Sequence, residues 1–382
     1  MKHFKNNGKL KLMIIVGTRP EIIRLSCVIN KCRQNFDTLL VHTGQNYDYN
    51  LNEIFFKELK IESPDIYLDV SKDNLGSSIG DIVSKSYDVM KEVRPDAILI
   101  LGDTNSCLSS ICAKRLHIPI FHMEAGNRCN DECLPEETNR KIVDIISDIN
   151  IAYSEHARRN LLHNGLPNER VFVSGSPMYE VLNQNIEKIK NSNILEKLNL
   201  QKNEYILLSL HREENLDDDN NFISLFNSLN ELAKRFDMPI LYSCHPRSKK
   251  RIEKMNFKLD DRIIQHQPLG FIDYNNLQMN SFLVISDSGT LPEESHFYYS
   301  IGQPLAAISI RTSTERNEAM EKGCFVLGGI DEKNLFQAVD IALNNKNGCS
   351  IVEDYNCLNV SDKIVKLVQS YTNVINKFTY HK

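Results

Sequence analysis

Short apolar runs alternate with helix-period segments along the whole chain. In the first half, the apolar runs predict strands at residues 12–16, 38–42, 97–101, 118–122, 149–153 and 171–174. Segments with helical periodicity lie between them, at residues 22–32, 79–93 and 156–164. Uninterrupted apolar character is typical of parallel strands covered on both faces. The first half therefore predicts a doubly wound α/β domain.

A second series of the same kind follows a charged stretch near residues 183–201. Its predicted strands lie at residues 205–210, 240–243, 263–266, 282–285, 305–310 and 325–327. The chain therefore predicts two Rossmann-like domains that face a cleft, at residues 10–178 and 179–360, joined near the Gly-Ser-Pro of residues 175–177. We expect a C-terminal helix, within residues 361–382, to pack back on the first domain.

Composition and charge narrow the class of protein. The chain has 382 residues, 25% of them charged, and a net charge of −5, which argues against nucleic acid as the main partner. No apolar run approaches the roughly 20 residues that cross a bilayer, and the basic, polar start does not resemble a secretory signal. We therefore expect a cytoplasmic protein with no membrane partner. The ten cysteines form no Cys-x-x-Cys motif, so we expect reduced thiols.

The most informative motif is Ser-Asp-Ser-Gly-Thr-Leu-Pro-Glu-Glu-Ser at residues 286–295, which directly follows an apolar strand. Ser288, Gly289 and Thr290 predict a small-residue turn, and the residues after them predict the start of a helix. A strand, a turn and a helix N-terminus point several backbone N–H groups one way, as phosphate binding requires. At least one of the two glutamates must face something else, and sugar hydroxyls suit it. The alternative is an ordinary capped helix.

The first predicted strand ends in Gly-Thr-Arg-Pro-Glu, at residues 17–21. Its proline suits the first turn of the following helix, and the Arg19 guanidinium is a fork of donors that suits phosphate oxygens. Arg24 follows in the same helix. A second loop, which contains Gln45, follows the second strand in the same manner. The alternative for Arg19 is a surface arginine beside a turn.

Three carboxylates, Asp103, Glu124 and Glu136, follow strand or loop ends of the first domain. Ligands of doubly wound sheets bind at the carboxyl ends of the strands, so we expect these groups to converge on one cleft. Carboxylates gathered in this way are candidates for proton transfer. They are also possible metal ligands. Because no Asp-x-Asp pair or histidine cluster stands beside them, we expect no metal.

The second domain carries its own polar strand ends. His211 and His245 follow its first two strands, near the turn at Ser288, and together predict a diphosphate or leaving-group site. Phe271 lies in a loop where it either stacks on a base or packs in the core. Arg316 is a further anchor for an anion.

Together these motifs resemble the non-hydrolysing UDP-N-acetylglucosamine 2-epimerase family, which has the two-domain glycosyltransferase-B architecture. The resemblance runs from about residue 12 to residue 327. It rests on Gly-Thr-Arg-Pro-Glu (17–21), Thr-Gly-Gln (43–45), Gly-Asp-Thr (102–104), Met-Glu-Ala-Gly (123–126), Pro-Glu-Glu (135–137), Asn-Arg (139–140), His-Arg (211–212), Asp-Ser-Gly (287–289), Glu-Glu (293–294) and Glu-Arg (315–316).

The resemblance implies a reaction without a cofactor. A base removes the proton at the sugar C2, UDP leaves from C1, and UDP adds back to a 2-acetamidoglycal after protonation on the opposite face. The resemblance places the catalytic groups at Asp103, Glu124, Glu136, His211 and Arg24. With the motifs above, it places substrate binding at Arg19, Gln45, Arg140, His245, Phe271, Ser288, Gly289, Thr290, Glu294 and Arg316.

Some positions depart from the glucosamine-type pattern. Residues 46–49 read Asn-Tyr-Asp-Tyr, residues 127–129 read Asn-Arg-Cys, and Arg24 stands where lysine is common. These departures resemble the capsule and O-antigen branch, which forms UDP-N-acetyl-L-fucosamine from its 2-acetamido-2,6-dideoxy-L-talose epimer. The segment at 296–304 is longer than the family norm, and Asn317 replaces a usual proline.

The expected partner is therefore a UDP-activated N-acetylamino sugar, and the expected assembly is a homodimer. The first alternative is an epimerase that interconverts UDP-N-acetylglucosamine and UDP-N-acetylmannosamine. The others are a UDP-sugar glycosyltransferase on the same scaffold and a non-catalytic nucleotide-sugar sensor.

Overall fold

The structure is a computed structural model that describes residues 2–44, 49–71, 73–132, 134–210, 218–244 and 246–382, with the backbone alone at 49–53, 246 and 247. The chain divides into two compact units, Met1–Asn183 with Glu353–Lys382, and Gln184–Val352. These boundaries fall elsewhere than the predicted ones after residues 178 and 360. The first predicted boundary lies inside a continuous helix, Pro177–Lys190. Before the second, the Asp354 carbonyl accepts a hydrogen bond from the Ser176 amide at 3.2 Å, which ties that segment to the first unit.

The first unit contains a seven-stranded parallel sheet. Its strands are β1 (Lys11–Val16), β2 (Asp37–His42), β3 (Ile66–Tyr67), β4 (Ala97–Leu101), β5 (Ile120–Met123), β6 (Ile149–Ala152) and β7 (Val171–Val173). They lie in the order β3-β2-β1-β4-β5-β6-β7. The order reverses between β1 and β4, and ligands of such sheets bind at the carboxyl ends of the strands beside this reversal.

The second unit contains a six-stranded parallel sheet with the same kind of order. Its strands are β8 (Ile206–Leu210), β9 (Ile240–Cys244), β10 (Ile263–His266), β11 (Leu283–Ser286), β12 (Ala307–Ser309) and β13 (Val326–Leu327). They lie in the order β10-β9-β8-β11-β12-β13, so the reversal falls between β8 and β11. The prediction of two Rossmann-like α/β domains is confirmed.

Helices follow most of the strands, as in other doubly wound sheets. They are α1 (Arg19–Asn35), α2 (Tyr49–Glu58), α3 (Leu75–Val93), α4 (Ser110–Arg115), α5 (Pro135–Ile146), α6 (Glu155–His163), α7 (Pro177–Lys190), α8 (Ile194–Lys197), α9 (Asp219–Phe236), α10 (Pro246–Lys254), α11 (Phe271–Asn280), α12 (Leu291–Ser300), α13 (Asn317–Glu321), α14 (Glu332–Asn344) and α15 (Val360–Phe378). Within the described ranges, none of them is long and apolar enough to span a bilayer.

The strands are buried on both faces, which explains their uninterrupted apolar sequence. Met13 and Ile15 of β1 pack in one core cluster with Ile82 of α3. Leu12 and Ile14 point to the opposite face, since side chains alternate along a strand, and both are fully buried. The C-terminal helix α15 packs on α1 of the same unit.

Candidate active site

The loop after β1 is joined to the loop after β4 by one buried carboxylate, Glu21. The Gly17 amide and the Thr18 hydroxyl donate to its Oε2, at 3.0 and 2.8 Å. The Ser106 hydroxyl, which lies beyond β4, donates to its Oε1. Burial raises the pKa of the Glu21 carboxyl, and the hydrogen bonds from Ser106, Thr18 and Gly17 oppose that rise. Glu21 therefore fixes both loops beside the reversal of strand order.

Glu124 follows β5 and forms a buried ion pair with the Arg24 guanidinium of α1. The Asn127 side-chain amide donates to its other oxygen, at 3.3 Å. Glu124 adopts a left-handed φ of +64°, which costs a residue with a side chain roughly 1 kcal/mol or more. The turn therefore holds the backbone of Glu124 in a conformation that residues with a side chain rarely adopt.

Glu124 lies next to the loop that carries Asp103. β4 and β5 pair Leu101 with Met123, so the residues after these two strands stand side by side. Gly102 has a φ of +71°, and a Cβ added there would lie 3.1 Å from Glu124 Oε2. Only glycine combines this backbone conformation with so close a carboxylate.

The second ion pair joins Asp103 to Arg140 of α5. The Arg140 Nε and Nη2 atoms lie 2.8 and 2.6 Å from Asp103 Oδ2, and its Nη1 donates to Glu137 at 2.9 Å. The Asn139 amide donates to the Asp103 carbonyl at 2.8 Å. Glu136 is half-buried one helical turn before Arg140, so the two residues share a face of α5. The structure thus places Asp103, Glu124 and Glu136 on adjoining elements of one unit.

Arg19 lies at the first position of α1, where the sequence predicted a phosphate-binding group. Its guanidinium carbon is 5.8 Å from the centre of the Phe55 ring. This contact orients the side chain, and the role in substrate binding stays a prediction.

In the second unit, the turn after β11 carries a short chain of hydroxyl contacts. The Ser286 hydroxyl accepts from the Ser288 amide at 3.0 Å, and the Ser288 and Thr290 hydroxyls are 2.8 Å apart. Thr290 in turn donates to Glu294 Oε1 at 2.9 Å. The Gln278 amide donates to Glu294 Oε2 at 2.8 Å, so both oxygens of this carboxylate are held. Gly289 lies between the two hydroxyl residues, at the start of α12.

Contacts between hydroxyl groups join β8 and β11 where the strand order of the second sheet reverses. The Ser209 hydroxyl of β8 lies 2.7 Å from the Ser286 hydroxyl of β11 and 3.1 Å from the Tyr274 hydroxyl. Burial raises the pKa of the Tyr274 phenol, so this group is a neutral donor or acceptor. These contacts join the end of β8, which precedes His211 in the sequence, to the end of β11, which precedes the Ser288 turn.

Arg316 and Phe271 are buried in the second unit. Arg316 is fully buried, and its Nη2 lies 3.3 Å from Glu293 Oε2. Glu293 is the residue before Glu294. The contact therefore joins the predicted Glu-Arg motif at 315–316 to the predicted Glu-Glu motif at 293–294. Phe271 opens α11 and is 3% exposed, which matches the packing alternative more closely than stacking on a base.

Three predicted site residues, Gln45, His211 and His245, lie outside the described residues or have no described side chain, and their roles stay predictions. Glu21 and Gln278 are not among the residues predicted from sequence to form the site. Glu21 belongs to a predicted motif, but its role depends on a contact with Ser106, which is 85 residues away. Among the residues that the structure describes, no group of three or more His, Cys, Asp and Glu side chains is arranged to hold a metal ion.

Two parallel-sheet Rossmann-like units, each with polar groups at its strand reversal, define the glycosyltransferase-B class of fold. The sequence model of one family within that class, described as UDP-N-acetylglucosamine 2-epimerase, matches residues 30–369. The chain belongs to this family. It is therefore an isomerase that acts on a UDP-sugar at C2, and this prediction is confirmed over the glycosyltransferase and sensor alternatives.

Individual relatives agree with this membership. A solved UDP-N-acetylglucosamine 2-epimerase from Rickettsia bellii is 46% identical, with a TM-score of 0.89, over 98% of this chain and 100% of that one. A Methanocaldococcus jannaschii UDP-GlcNAc 2-epimerase, solved in complex with UDP-GlcNAc and UDP, is 33% identical, with a TM-score of 0.88, over 94% and 99%. A UDP-2,3-diacetamido-2,3-dideoxy-D-glucuronate 2-epimerase from Pseudomonas aeruginosa is 34% identical over 84% of this chain and 88% of its own length.

Proposed function

We propose that the chain forms UDP-N-acetyl-L-fucosamine from UDP-2-acetamido-2,6-dideoxy-L-talose for the synthesis of surface polysaccharide. A base takes the C2 proton, the C1–oxygen bond breaks, and UDP leaves a 2-acetamidoglycal. A proton is then delivered to the opposite face of C2, and UDP adds back to C1. Inversion requires proton-transfer groups on both faces, and therefore more than one carboxylate.

The first unit supplies these groups. Asp103, Glu124 and Glu136 are the acid and base candidates, and the observation that carries the assignment of Asp103 and Glu124 is the pair of carboxylate–guanidinium contacts described above. In each contact the guanidinium donates to the carboxylate and fixes its orientation. Arg24 forms an ion pair with Glu124, and Arg140 forms an ion pair with Asp103.

The second unit holds UDP. The turn of Ser288, Gly289 and Thr290 at the start of α12 presents hydroxyl and amide donors to the diphosphate. Glu294 binds the ribose hydroxyls, and Arg316 orients the adjoining Glu293. The M. jannaschii relative, which binds UDP, supports this assignment because it shares the fold over nearly its whole length.

The groups around the diphosphate and the base complete the proposal. His211 assists the departing diphosphate, and His245 and Arg19 add donors around it. Gln45 contacts the sugar, and Phe271 supports the uracil site by packing in the core of the second unit. Negative charge grows on the leaving group during elimination, so donors placed for that charge lower the barrier. We also propose that the enzyme is a homodimer, which light scattering of the purified protein tests.

The choice of sugar rests on two residues that touch Glu124. Arg24 and Asn127 both contact its carboxylate, and both depart from the glucosamine-type sequence pattern. Arginine and lysine differ in shape and hydrogen bonding, so this exchange alters the environment of the proposed base. The P. aeruginosa relative, named for a different sugar, indicates that the family is not restricted to one substrate.

A second candidate is the interconversion of UDP-N-acetylglucosamine and UDP-N-acetylmannosamine. It is favoured by the name of the 46% identical R. bellii protein. The experiment offers each of the two sugar nucleotides separately to the purified enzyme and follows the anomeric proton by NMR. We expect kcat/KM to be at least about tenfold higher for the 6-deoxy-L-sugar nucleotide, about 1.4 kcal/mol in transition-state binding. The opposite preference would replace our proposal with the second candidate.

A further inference from the structure

His122, on β5, lies two residues before Glu124 and is 1% exposed. Its Nε2 is 2.9 Å from the carbonyl oxygen of Gly102. Its Nδ1 is 3.2 Å from Asp144 Oδ1 and 3.4 Å from Asn150 Oδ1. Both ring nitrogens therefore face oxygen atoms inside the unit.

All of these oxygens accept hydrogen bonds. A carbonyl such as that of Gly102 has no proton to donate. Asn150 uses its amide nitrogen to donate to the Asp144 carbonyl at 2.8 Å, which leaves its oxygen toward the ring. The oxygens of Asp144 accept from Arg128 Nη1 at 2.7 Å and from the Gly126 amide at 3.2 Å. A neutral imidazole has one donor and one acceptor nitrogen, so neither tautomer satisfies this set.

We propose that His122 is an imidazolium in the folded enzyme and is a positioning residue for Asp103 and Glu124. This inference rests on the acid and base roles proposed above for those two carboxylates. His122 touches neither of them, and it acts through Gly102 and Asp144.

The route to Asp103 runs through Gly102. The Gly102 amide donates to the Met123 carbonyl at 2.9 Å, and its carbonyl accepts from His122. Gly102, the residue before Asp103, is therefore held through both its amide and its carbonyl. Loss of the His122 donor releases the carbonyl side of that residue.

The route to Glu124 runs through Asp144. This carboxylate binds the Gly126 amide, two residues beyond Glu124, and so holds the turn in which Glu124 has its left-handed φ. The same His122–Asp144 pair thus supports the strand ends of both proposed acid and base groups.

The charges around His122 favour this protonation state. Burial disfavours the charged ring, but the hydrogen bond and charge of Asp144 and the contacts with Gly102 and Asn150 together outweigh it, and the net result is a raised pKa for His122. Arg128, a cation that opposes protonation of the ring, also pairs with Asp144, and Cys107, which interacts electrostatically with Asp144, is a thiol whose pKa burial raises. A raised folded-state pKa contributes stability that is complete below the ordinary value of 6.5 and is lost as the pH rises through the folded value.

The protonation state is tested by NMR on enzyme labelled with ¹⁵N at histidine. The His122 signal is assigned by its absence in His122→Gln. At pH 7.5 we expect both of its nitrogens to carry a proton, whereas an unperturbed histidine is mostly neutral. One protonated and one unprotonated nitrogen at that pH would overturn the inference, whatever sugar the enzyme prefers.

The positioning role is tested by kinetics of His122→Gln, with His163→Gln as the matched control. His163 is exposed at the end of α6 and has no part in the proposed site. We expect kcat of His122→Gln to fall on the order of 10- to 100-fold, while its dissociation constant for UDP stays within twofold. A kcat equal to that of His163→Gln would refute the role. If His122→Gln does not fold, the His122 signal is assigned in the wild-type enzyme by through-bond NMR from its backbone to its ring, and His122→Asn supplies the kinetics.

Discussion

Replacing Glu124 by glutamine tests the proposed base with the smallest change of shape. The pair with Arg24 is buried, with side-chain exposures of 10% and 4%, so solvent does not screen it as it screens a surface pair. The substitution exchanges a charge-assisted hydrogen bond for a neutral one, which we expect to cost about 1.5–3 kcal/mol. For a unit of this size, that loss lowers the unfolding midpoint by roughly 3–12 °C.

The catalytic effect of Glu124→Gln is separate from its effect on stability. A glutamine cannot accept the C2 proton, so we expect kcat to fall about 10²- to 10⁴-fold. UDP affinity should stay within about twofold, because Glu124 is not one of the proposed UDP-binding groups. The assay is turnover by NMR at a temperature well below the unfolding midpoint, with UDP binding measured by calorimetry.

The matched control is Glu132→Gln in the same unit. The Glu132 side chain is 71% exposed and pairs at the surface with Lys141, so we expect its turnover and midpoint to match the wild type. Turnover of Glu124→Gln within threefold of the wild type would refute the assignment of Glu124 as an acid or base.

Three further predictions concern other parts of the molecule. Thr290→Val removes the hydroxyl that links Ser288 to Glu294, and we expect the dissociation constant for UDP to rise about five- to tenfold by calorimetry; an unchanged value would contradict the proposed UDP site. Gly102→Ala forces a side chain into a left-handed φ and should cost about 1–2 kcal/mol in urea unfolding, whereas Gly80→Ala on the exposed side of α3 should gain up to about 1 kcal/mol. If both substitutions changed the free energy of unfolding in the same direction, this argument would be refuted. Burial lowers the pKa of His42 to about 4. The neutral ring therefore contributes folding stability that is complete above the ordinary pKa of 6.5 and is lost as the pH falls toward 4. Between pH 6.5 and 5 we expect the wild type to lose about 1.5 kcal/mol more than His42→Asn, and equal losses would contradict the pKa shift.

The strands of both sheets follow from local sequence. In β1, Leu12 and Ile14 are buried on one face, and Met13 and Ile15 are buried on the other. Because both faces are covered, every position of such a strand is apolar, and the run is visible in the sequence. β3 escaped prediction because it has two residues, Ile66–Tyr67, and two residues define no period.

The motifs of the site were predictable for a related reason. The turn at residues 286–290 and the proline at the start of α1 are signals that need only a few neighbouring residues. Asp103 and Glu124 stand at strand ends, where the doubly wound topology collects functional groups.

The partners of these groups were not predictable, because they come from distant parts of the chain. Asp103 meets Arg140 across 37 residues, and Glu124 meets Arg24 across 100. The acceptors around His122 belong to the loop after β4, to α5 and to β6, so no local pattern marks this histidine as charged. Such contacts are set by the sheet order, which apolar periodicity does not encode.

The central claim is that carboxylates of the first unit move the C2 proton while UDP departs and returns. The most direct measurement is turnover in D₂O, followed by mass spectrometry and NMR of the recovered sugar nucleotide. We predict one deuterium at C2 in the product, with none elsewhere on the ring, and loss of this exchange in Glu124→Gln. Product that forms at the normal rate and retains its original hydrogen at C2 would contradict the account.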